Sequence, residues 1–342
     1  PGTTSTKAAV YDGHDLLWSE SIAHDATTLH SFGSVAAQLD YRFDLINKDI
    51  PEHARDWMVV IGRGGLLRPL EGGIYAVNET MLDDVTHARH GEHASNLGSL
   101  LAKRFADSTG VNAYVVDPVT TDEFGPIARV SGVPGIERKC RAHALNIKAV
   151  ARRTAADLNI DFNESRFVVA HLGGGISISA LEKGRIKDVN DGLLGMGPFS
   201  PERSGALPLQ GVIDLVRDKG YEEAKRIFSK QSGFVGYFGT SDLREVEFRI
   251  ETGDREARLV FQAMVYQIAK EIGAMAASLS GQMNGVILTG GLINSEQLRD
   301  LLLSYIEWLP GGVHLHAGEE EMLALAEGGL RILHSEEEVK VY

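Results

Sequence analysis

The chain has 342 residues, 43% hydrophobic and 24% charged, which is too long for one ordinary core and suits two domains of a globular protein. The formal net charge of −13 excludes non-specific nucleic-acid binding, which needs clustered Lys and Arg, while leaving room for a nucleotide held by a few local groups. No apolar stretch approaches the ~20 residues that cross a bilayer, no signal-peptide blocks stand at the amino terminus, and the single Cys140 allows no internal disulfide, so no membrane partner and a cytoplasmic location are expected.

The chain opens at Pro1-Gly2, inside a strand-turn signal and without Met, so a short piece ahead of it is expected. Thr4 to Tyr11 reads as a strand, and Asp12-Gly13 turns it into Leu16-Leu17-Trp18. Met58 to Ile61 is a short buried strand that runs into the glycine-rich stretch Gly62 to Gly73. Val85 to Phe105 reads as a helix, Ala113 to Val116 as a strand ending at Asp117-Pro118, and Ala142 to Leu158 as a helix. Arg166 to Leu172 is an apolar strand opening into Gly173-Gly174-Gly175, followed by a hairpin of Ile176 to Leu181 and Ile186 to Val189. Ala257 to Leu279 is a long amphipathic helix, Val286 to Leu288 a buried strand stopped by Thr289-Gly290-Gly291, and Glu319 to Leu333 a closing helix. Strands alternate with helices throughout, which points to α/β layers. A glycine turn followed by a Ser/Thr-bearing strand occurs at Gly2–Thr6 and again at Gly173–Ser179, which suggests two halves of one design.

Three glycine loops could hold phosphate. His171-Leu-Gly-Gly-Gly175 leaves a buried strand, and consecutive glycines let backbone N–H groups approach an anion closely. A tight hairpin needs fewer glycines, so phosphate binding is the preferred reading there. Thr289-Gly290-Gly291 has the same logic but is as often an ordinary strand-to-helix turn. Thr4, Ser5, Thr6 and Lys7 offer hydroxyls and one ammonium beside Gly2, in an order that is not the Walker A pattern.

Arg63 stands in Gly62-Arg-Gly-Gly65 and Arg203 in Pro198-Phe-Ser-Pro-Glu-Arg-Ser-Gly205, both among small residues. The planar guanidinium suits carboxylate or phosphate oxygens, although for either one alone the plainer reading, a loop arginine solvated or paired with Glu71 or Glu202, is preferred. Asp117 ends a strand, where active groups of α/β sheets gather, yet an aspartate before proline is also ordinary turn chemistry. Glu319-Glu320-Glu321 suits a helix amino terminus by charge alone. His87, His90 and His93, and likewise His314 and His316, lack a recognisable completing ligand and read as loop or surface histidines. Cys140 lies among Arg138, Lys139 and Arg141 but has no nucleophile context and reads as structural.

These segments together resemble butyrate kinases of the acetokinase family. The resemblance rests on PGTTSTKAAVYDG (1–13), IGRGGLLRPLEGG (61–73), HASNLG (93–98), VVDPV (115–119), RVSGVPGIERK (129–139) and HALNIKAVARR (143–153). It continues through VAHLGGGIS (169–177), GPFSPERSG (197–205), TSDLREVE (240–247), ILTGGL (287–292) and GEEEMLALAEG (318–328), so it covers essentially the whole chain. It implies an α/β fold of two duplicated, ribonuclease-H-like domains of the actin, Hsp70 and sugar-kinase type, with a nucleotide cleft between them. The first actin-like ATPase domain is expected at 1–120 plus 320–342 and the second at 121–319.

The resemblance further implies roles for named residues. Arg63 and Arg203 would flank the carboxylate and the transferring phosphoryl group, with Asp117 the essential aspartate and His143 a donor to phosphoryl oxygens. Thr4, Ser5, Thr6, Lys7, His171, Gly173, Gly174 and Gly175 would meet ATP phosphates, and Asp242, Leu243, Arg244, Gly290 and Gly291 would line the adenosine pocket. Asp117 with Glu319 or Glu320 would help place Mg2+. The chain departs from acetate kinases in having Ile147 where they carry a second histidine and Ala142 where they carry Phe. The loss of an aromatic at Ala142 is expected to open room for butyrate beside the acyl group. The expected partners are thus ATP and a short-chain carboxylate, with self-association into a homodimer or larger by analogy. Two rivals remain at this level. One is a branched-chain carboxylate kinase, separated from a butyrate enzyme by one methyl group. The other is a non-catalytic ATP-binding switch, which the two Gly-flanked arginines disfavour because a switch has no carboxylate to clamp.

Overall fold

Turn signals and apolar runs set the element order in the computed structural model, which describes residues 1–318 and 320–342. The chain divides into two units, Pro1–Asp122 with Glu320–Tyr342, and Glu123–Glu319. The first begins with β1 (Ser5–Asp12) and β2 (Asp15–Ala23), then α1 (Ala26–His30), α2 (Leu39–Asp49), β3 (Val59–Gly62) and β4 (Ile74–Ala76). It continues with α3 (Glu79–Thr86), α4 (Leu97–Thr109) and β5 (Asn112–Val116). The second holds α5 (Pro126–Arg129), α6 (Ala144–Asp157), β6 (Arg166–Leu172), β7 (Ile176–Glu182) and β8 (Arg185–Val189). After these come α7 (Leu209–Lys219), α8 (Tyr221–Lys230), α9 (Gly233–Phe238), α10 (Leu243–Glu251), α11 (Arg255–Ser278), β9 (Gly285–Gly290), α12 (Glu296–Ile306) and β10 (Val313–Ala317). The chain then returns to the first unit as α13 (Glu321–Leu333) and β11 (Val339–Val341). Among the described residues no helix is long and apolar enough to cross a membrane.

The sheet of the second unit runs β10-β9-β6-β7-β8, with β6 antiparallel to β7 and parallel to β9. Side chains alternate across a strand, so β6 feeds two cores at once. Val168, Ala170 and Leu172 join Phe261, Met264, Val265 and Ile268 of α11. Phe167 and Val169 join Ile147, Val150 and Ala151 of α6 on the other face. With both faces covered, β6 reads in sequence as an unbroken apolar run instead of an alternating one. At the end of β9, Gly290 has φ +97°, and a Cβ there would lie 2.3 Å from the Leu172 carbonyl oxygen. Only glycine lets that loop sit against the end of β6.

In the first unit the hairpin β1–β2 forms a sheet of its own, and the remaining strands run β11-β4-β5-β3. Phe43 and Ile46 of α2, with Leu97, Leu101 and Phe105 of α4, pack around Val115 and Tyr342. Gly328 and Gly329 let α13 lie close on the sheet; a Cβ at Gly328 would be 2.5 Å from Val116. The duplication expected from the two glycine hairpins is visible in β1–β2 and β7–β8. Residues of β1 and β3 line a cavity of about 700 Å3 in the first unit.

Two expected helices have different bounds. Val85 to Phe105 is not continuous: Ala88 at φ +49° and Gly91 at φ +120° take left-handed backbone that a helix cannot accommodate, so α3 stops at Thr86 and α4 begins at Leu97. The closing helix starts at Glu321, because Glu320 has non-helical φ −92°, ψ +48°; Glu319 lies outside the described residues. The helices between Leu209 and Glu251 have no counterpart in the sequence reading.

Candidate active site

In the first unit, Arg63 follows the last residue of β3 and lies on the first turn of α4. A Cβ at Gly62 would lie 2.3 Å from the Gly98 carbonyl oxygen, so the small residues are needed for that approach. The Arg63 guanidinium donates to Glu321 Oε2 at 2.9 Å. Glu321 is the first residue of α13, where the helix dipole favours a carboxylate. Asp117 is 2% exposed, and its Oδ1 accepts from the Gly73 backbone N–H at 2.8 Å. Its φ of +39° is unusual for a non-glycine residue and costs energy that the surrounding fold must supply.

Residues 4–7, where the chain enters β1, are split in their exposure. Thr4 and Lys7 are exposed, Ser5 is half-buried, and Thr6 is buried with its hydroxyl 2.8 Å from His24 Nε2. Thr6 therefore faces the protein and is not presented to a nucleotide as the sequence reading had it. The three histidines of the α3–α4 region have separate partners: His87 bonds the Asp83 carbonyl, His90 the Asp84 carboxylate and His93 the Ser95 hydroxyl. The His93 pKa is held below its ordinary value, first by desolvation of the ring and then by the Arg63 guanidinium.

In the second unit the Gly173–Gly175 turn connects β6 to β7 and is wrapped by the segment 190–205. Ser200 Oγ donates to the Gly174 carbonyl at 2.6 Å, and a Cβ at Gly175 would lie 2.2 Å from Arg203 Nη1. The Arg203 guanidinium thus rests directly on the glycine loop, and Nη1 donates to the Gly192 carbonyl. Its Nε is buried with no partner among the described residues. Burial lowers the Arg203 pKa, opposed by the charges of Glu202 and Asp191, yet a guanidinium remains protonated at any working pH.

Beside the same loop, His143 Nδ1 lies 2.9 Å from Ser177 Oγ. The His143 ring stacks on His171 with centroids 4.1 Å apart and planes at 26°. His171 Nδ1 is 3.0 Å from Asn146 Oδ1, which also accepts from Thr289 Oγ1 at 3.3 Å. His143, His171, the glycine turn, Arg203 and the Thr289-Gly290-Gly291 loop are thereby joined through direct contacts. A Cβ at Gly291 would meet nothing within 4 Å, so that position is open.

Asp242, Leu243 and Arg244 are a separate group. Asp242 caps α10 and binds the Arg244 guanidinium at 2.6 Å, while Leu243 belongs to the core. Among the described residues no hydrogen bond links them to the glycine turn. Ala142 is buried in the cluster of Phe124, Cys140 and Ile147.

Ser177 and Asn146 join the candidate site residues without having been singled out in sequence, and Glu321 was named only as a member of the acidic trio 319–321. Asn146 had a usable signal: it lies in the first turn of α6, three positions after His143, which caps that helix. Glu321 could not be told from its acidic neighbours until the start of α13 was fixed. As for a metal, no group of three or more His, Cys, Asp or Glu among the described residues could hold an ion. Lone carboxylates such as Asp117 fit a hard cation that arrives on nucleotide phosphates better than one caged by protein.

Comparison with known proteins adds an independent line. Residues 132–342 match the acetokinase family. The whole chain aligns at 46% identity with a probable butyrate kinase of Coprothermobacter proteolyticus, covering 98% of that protein. It aligns at 44% with probable butyrate kinase 2 of Caldanaerobacter subterraneus subsp. tengcongensis, again covering 98%. In fold it is similar to Porphyromonas gingivalis acetate kinase, with TM-score 0.75 and 18% identity over 97% of this chain and 98% of that one. Acetate kinase from Entamoeba histolytica gives TM-score 0.74 and 17% identity over 96% and 97%. At such identities these two likenesses concern the fold alone.

Proposed function

The chain belongs to the acetokinase family, and we propose that it transfers the γ-phosphoryl group of ATP reversibly to butyrate, giving butanoyl phosphate and ADP. The observation that carries this reading is the Arg203 guanidinium seated on the Gly173–Gly175 turn beside the His143–Ser177 pair.

A short-chain carboxylic acid, with a pKa near the ~4.3 of a Glu side chain, is already ionised at neutral pH, so no general base is needed. A carboxylate oxygen attacks the γ-phosphorus, the bond to the β–γ bridging oxygen breaks, and ADP leaves with that electron pair. The obstacle is repulsion between an anion and a polyanion, so positioning and charge neutralisation dominate. The Gly173 N–H closes the turn onto the Gly175 carbonyl, the backbone N–H groups of Gly174 and Gly175 hold phosphate oxygens, and Arg203 places a fixed positive charge against the same loop. His143 is oriented through Ser177 and stacking on His171, and donates to the transferring group. Arg63 is assigned to the carboxylate, with Glu321 fixing its guanidinium. Mg2+ would supply positive charge against the phosphates, and Asp117 and Glu320 are the carboxylates that would help hold it.

The test is acyl-phosphate formation trapped with hydroxylamine, using ATP, Mg2+ and a series from acetate to hexanoate that includes isobutyrate and isovalerate. The highest kcat/KM is expected on butyrate. A higher value on a branched acid would replace butyrate as the substrate, and no acyl phosphate with any acid would overturn the reaction.

A further inference from the structure

Arg42, on α2, is 1% exposed, and no carboxylate pairs with it among the described residues. Its five hydrogen bonds all go to neutral oxygens. Nε and Nη2 donate to Gln38 Oε1 at 3.1 and 2.7 Å. Nη1 donates to the Gly2 carbonyl at 2.9 Å, the Ser5 carbonyl at 3.2 Å and Thr6 Oγ1 at 2.9 Å. The side chain therefore binds both ends of one loop from behind and leaves its own charge uncompensated.

In a trans peptide C=O and N–H point in opposite directions. A Gly2 carbonyl drawn onto Arg42 turns the Thr3 N–H away from it. Among the described residues the N–H groups of Thr3 and Thr4 donate to nothing within the protein, and both side chains are exposed. The loop thus carries two backbone N–H groups with no protein acceptor and two exposed threonines, while a desolvated cation holds its Gly2 and Ser5 carbonyls. Because the guanidinium is screened from water, its field is weakened less than that of a surface arginine. The missing countercharge and the outward donors both point to an anion on the loop's outer face.

We propose that Arg42 is a positioning residue for the Gly2–Thr6 loop, orienting its N–H groups toward the phosphates of ATP and backing them with buried positive charge. This rests on the reading of the chain as an ATP-dependent kinase, and the tests below separate the two.

Binding of a fluorescent ATP analogue to the full chain with Mg2+ is measured for wild type, Arg42→Gln, Arg42→Lys and Gln38→Glu, together with KM for ATP and for the carboxylate. Arg42→Gln is expected to weaken nucleotide binding at least tenfold and raise KM for ATP in step, with KM for the carboxylate within twofold. Arg42→Lys restores charge without the fork and recovers part of the loss. Gln38→Glu keeps every hydrogen bond while neutralising the guanidinium, so it should weaken nucleotide binding at least fivefold with the fold intact. That variant keeps the question open to measurement even if Arg42→Gln does not fold. Nucleotide affinity within twofold of wild type in Gln38→Glu, or in folded Arg42→Gln, overturns the proposal. Wild type that binds ATP but forms no acyl phosphate overturns the reaction and leaves the role of Arg42 standing on the binding data.

Discussion

The Arg63 guanidinium and the Glu321 carboxylate lie 2.9 Å apart although 258 positions separate them in sequence. With side chains 36% and 27% exposed, the pair contributes little to stability, about 0.2–1 kcal/mol. Its consequence is geometric: one carboxylate fixes where the fork points. Arg63→Ala should lower kcat by ~10³ or more, since comparable arginines contribute that much to phosphoryl transfer. Glu321→Gln should raise KM for the carboxylate severalfold. Both variants should keep melting temperatures close to wild type; near-normal turnover in Arg63→Ala removes it from the reaction.

Gly175 and Arg203 give a steric test without touching the arginine. A Cβ at Gly175 would lie 2.2 Å from Nη1, the mobile end of a long side chain, so Gly175→Ala should displace the guanidinium and spare the fold. Turnover is expected to fall at least tenfold with little change in melting temperature. Gly290→Ala is the contrast. There φ is +97° and the clash is with the rigid Leu172 carbonyl, so loss of the fold should come first. Equal melting temperatures for the two variants would contradict this geometry.

Ser177 should act only through His143. His143→Asn is expected to cost one to three orders of magnitude in kcat, and Ser177→Ala a smaller loss in the same direction. In the double variant the serine change should add almost nothing, because contacting residues that act as a unit are not additive. A full additive loss in the cycle would assign Ser177 a separate role.

The His24 pKa is lowered, first by burial and then by the Arg42 charge. A folded pKa below the unfolded one means that the unfolded chain takes the proton more readily, so this stability is complete above the unfolded value of ~6.5 and lost as pH falls below it. Melting temperature should be level near pH 7–8 and decline on acidification toward pH 5, with His24→Gln showing a shallower decline. An unchanged slope in that variant would place the acid sensitivity elsewhere.

Ala142 links specificity to packing. Its side chain sits in the cluster of Phe124, Cys140 and Ile147, so a larger residue must displace neighbours. Ala142→Phe is expected to destabilise by about 1–3 kcal/mol, the usual range for overpacking. If Ala142 also sets acyl length, the ratio of kcat/KM on butyrate to that on acetate should fall in the milder Ala142→Val. An unchanged ratio would leave Ala142 a packing residue only.

Several parts of this molecule were legible because their signals are local. The buried run 166–172 followed by Gly173-Gly174-Gly175 specifies a strand and a phosphate-compatible turn without reference to the rest of the chain. Residues 85–105 were misread as one helix because apolar periodicity continues across Ala88 and Gly91, and their left-handed backbone leaves no mark in that pattern. The run 313–317 shows alternating His and aliphatic residues in sequence, but only its pairing with β9 makes it a strand.

By itself the sequence determined the alternation of strands and helices, the glycine turns, and the residue types able to meet phosphate and carboxylate, since each depends on neighbours within a few positions. Only tertiary structure decided which groups meet. Glu321 among three consecutive glutamates reached Arg63, Thr6 turned inward to His24 and Arg42, and Arg203 came to rest on Gly175. Those pairings depend on strand order and helix packing, which bring distant segments together through burial of apolar surface that no local pattern encodes.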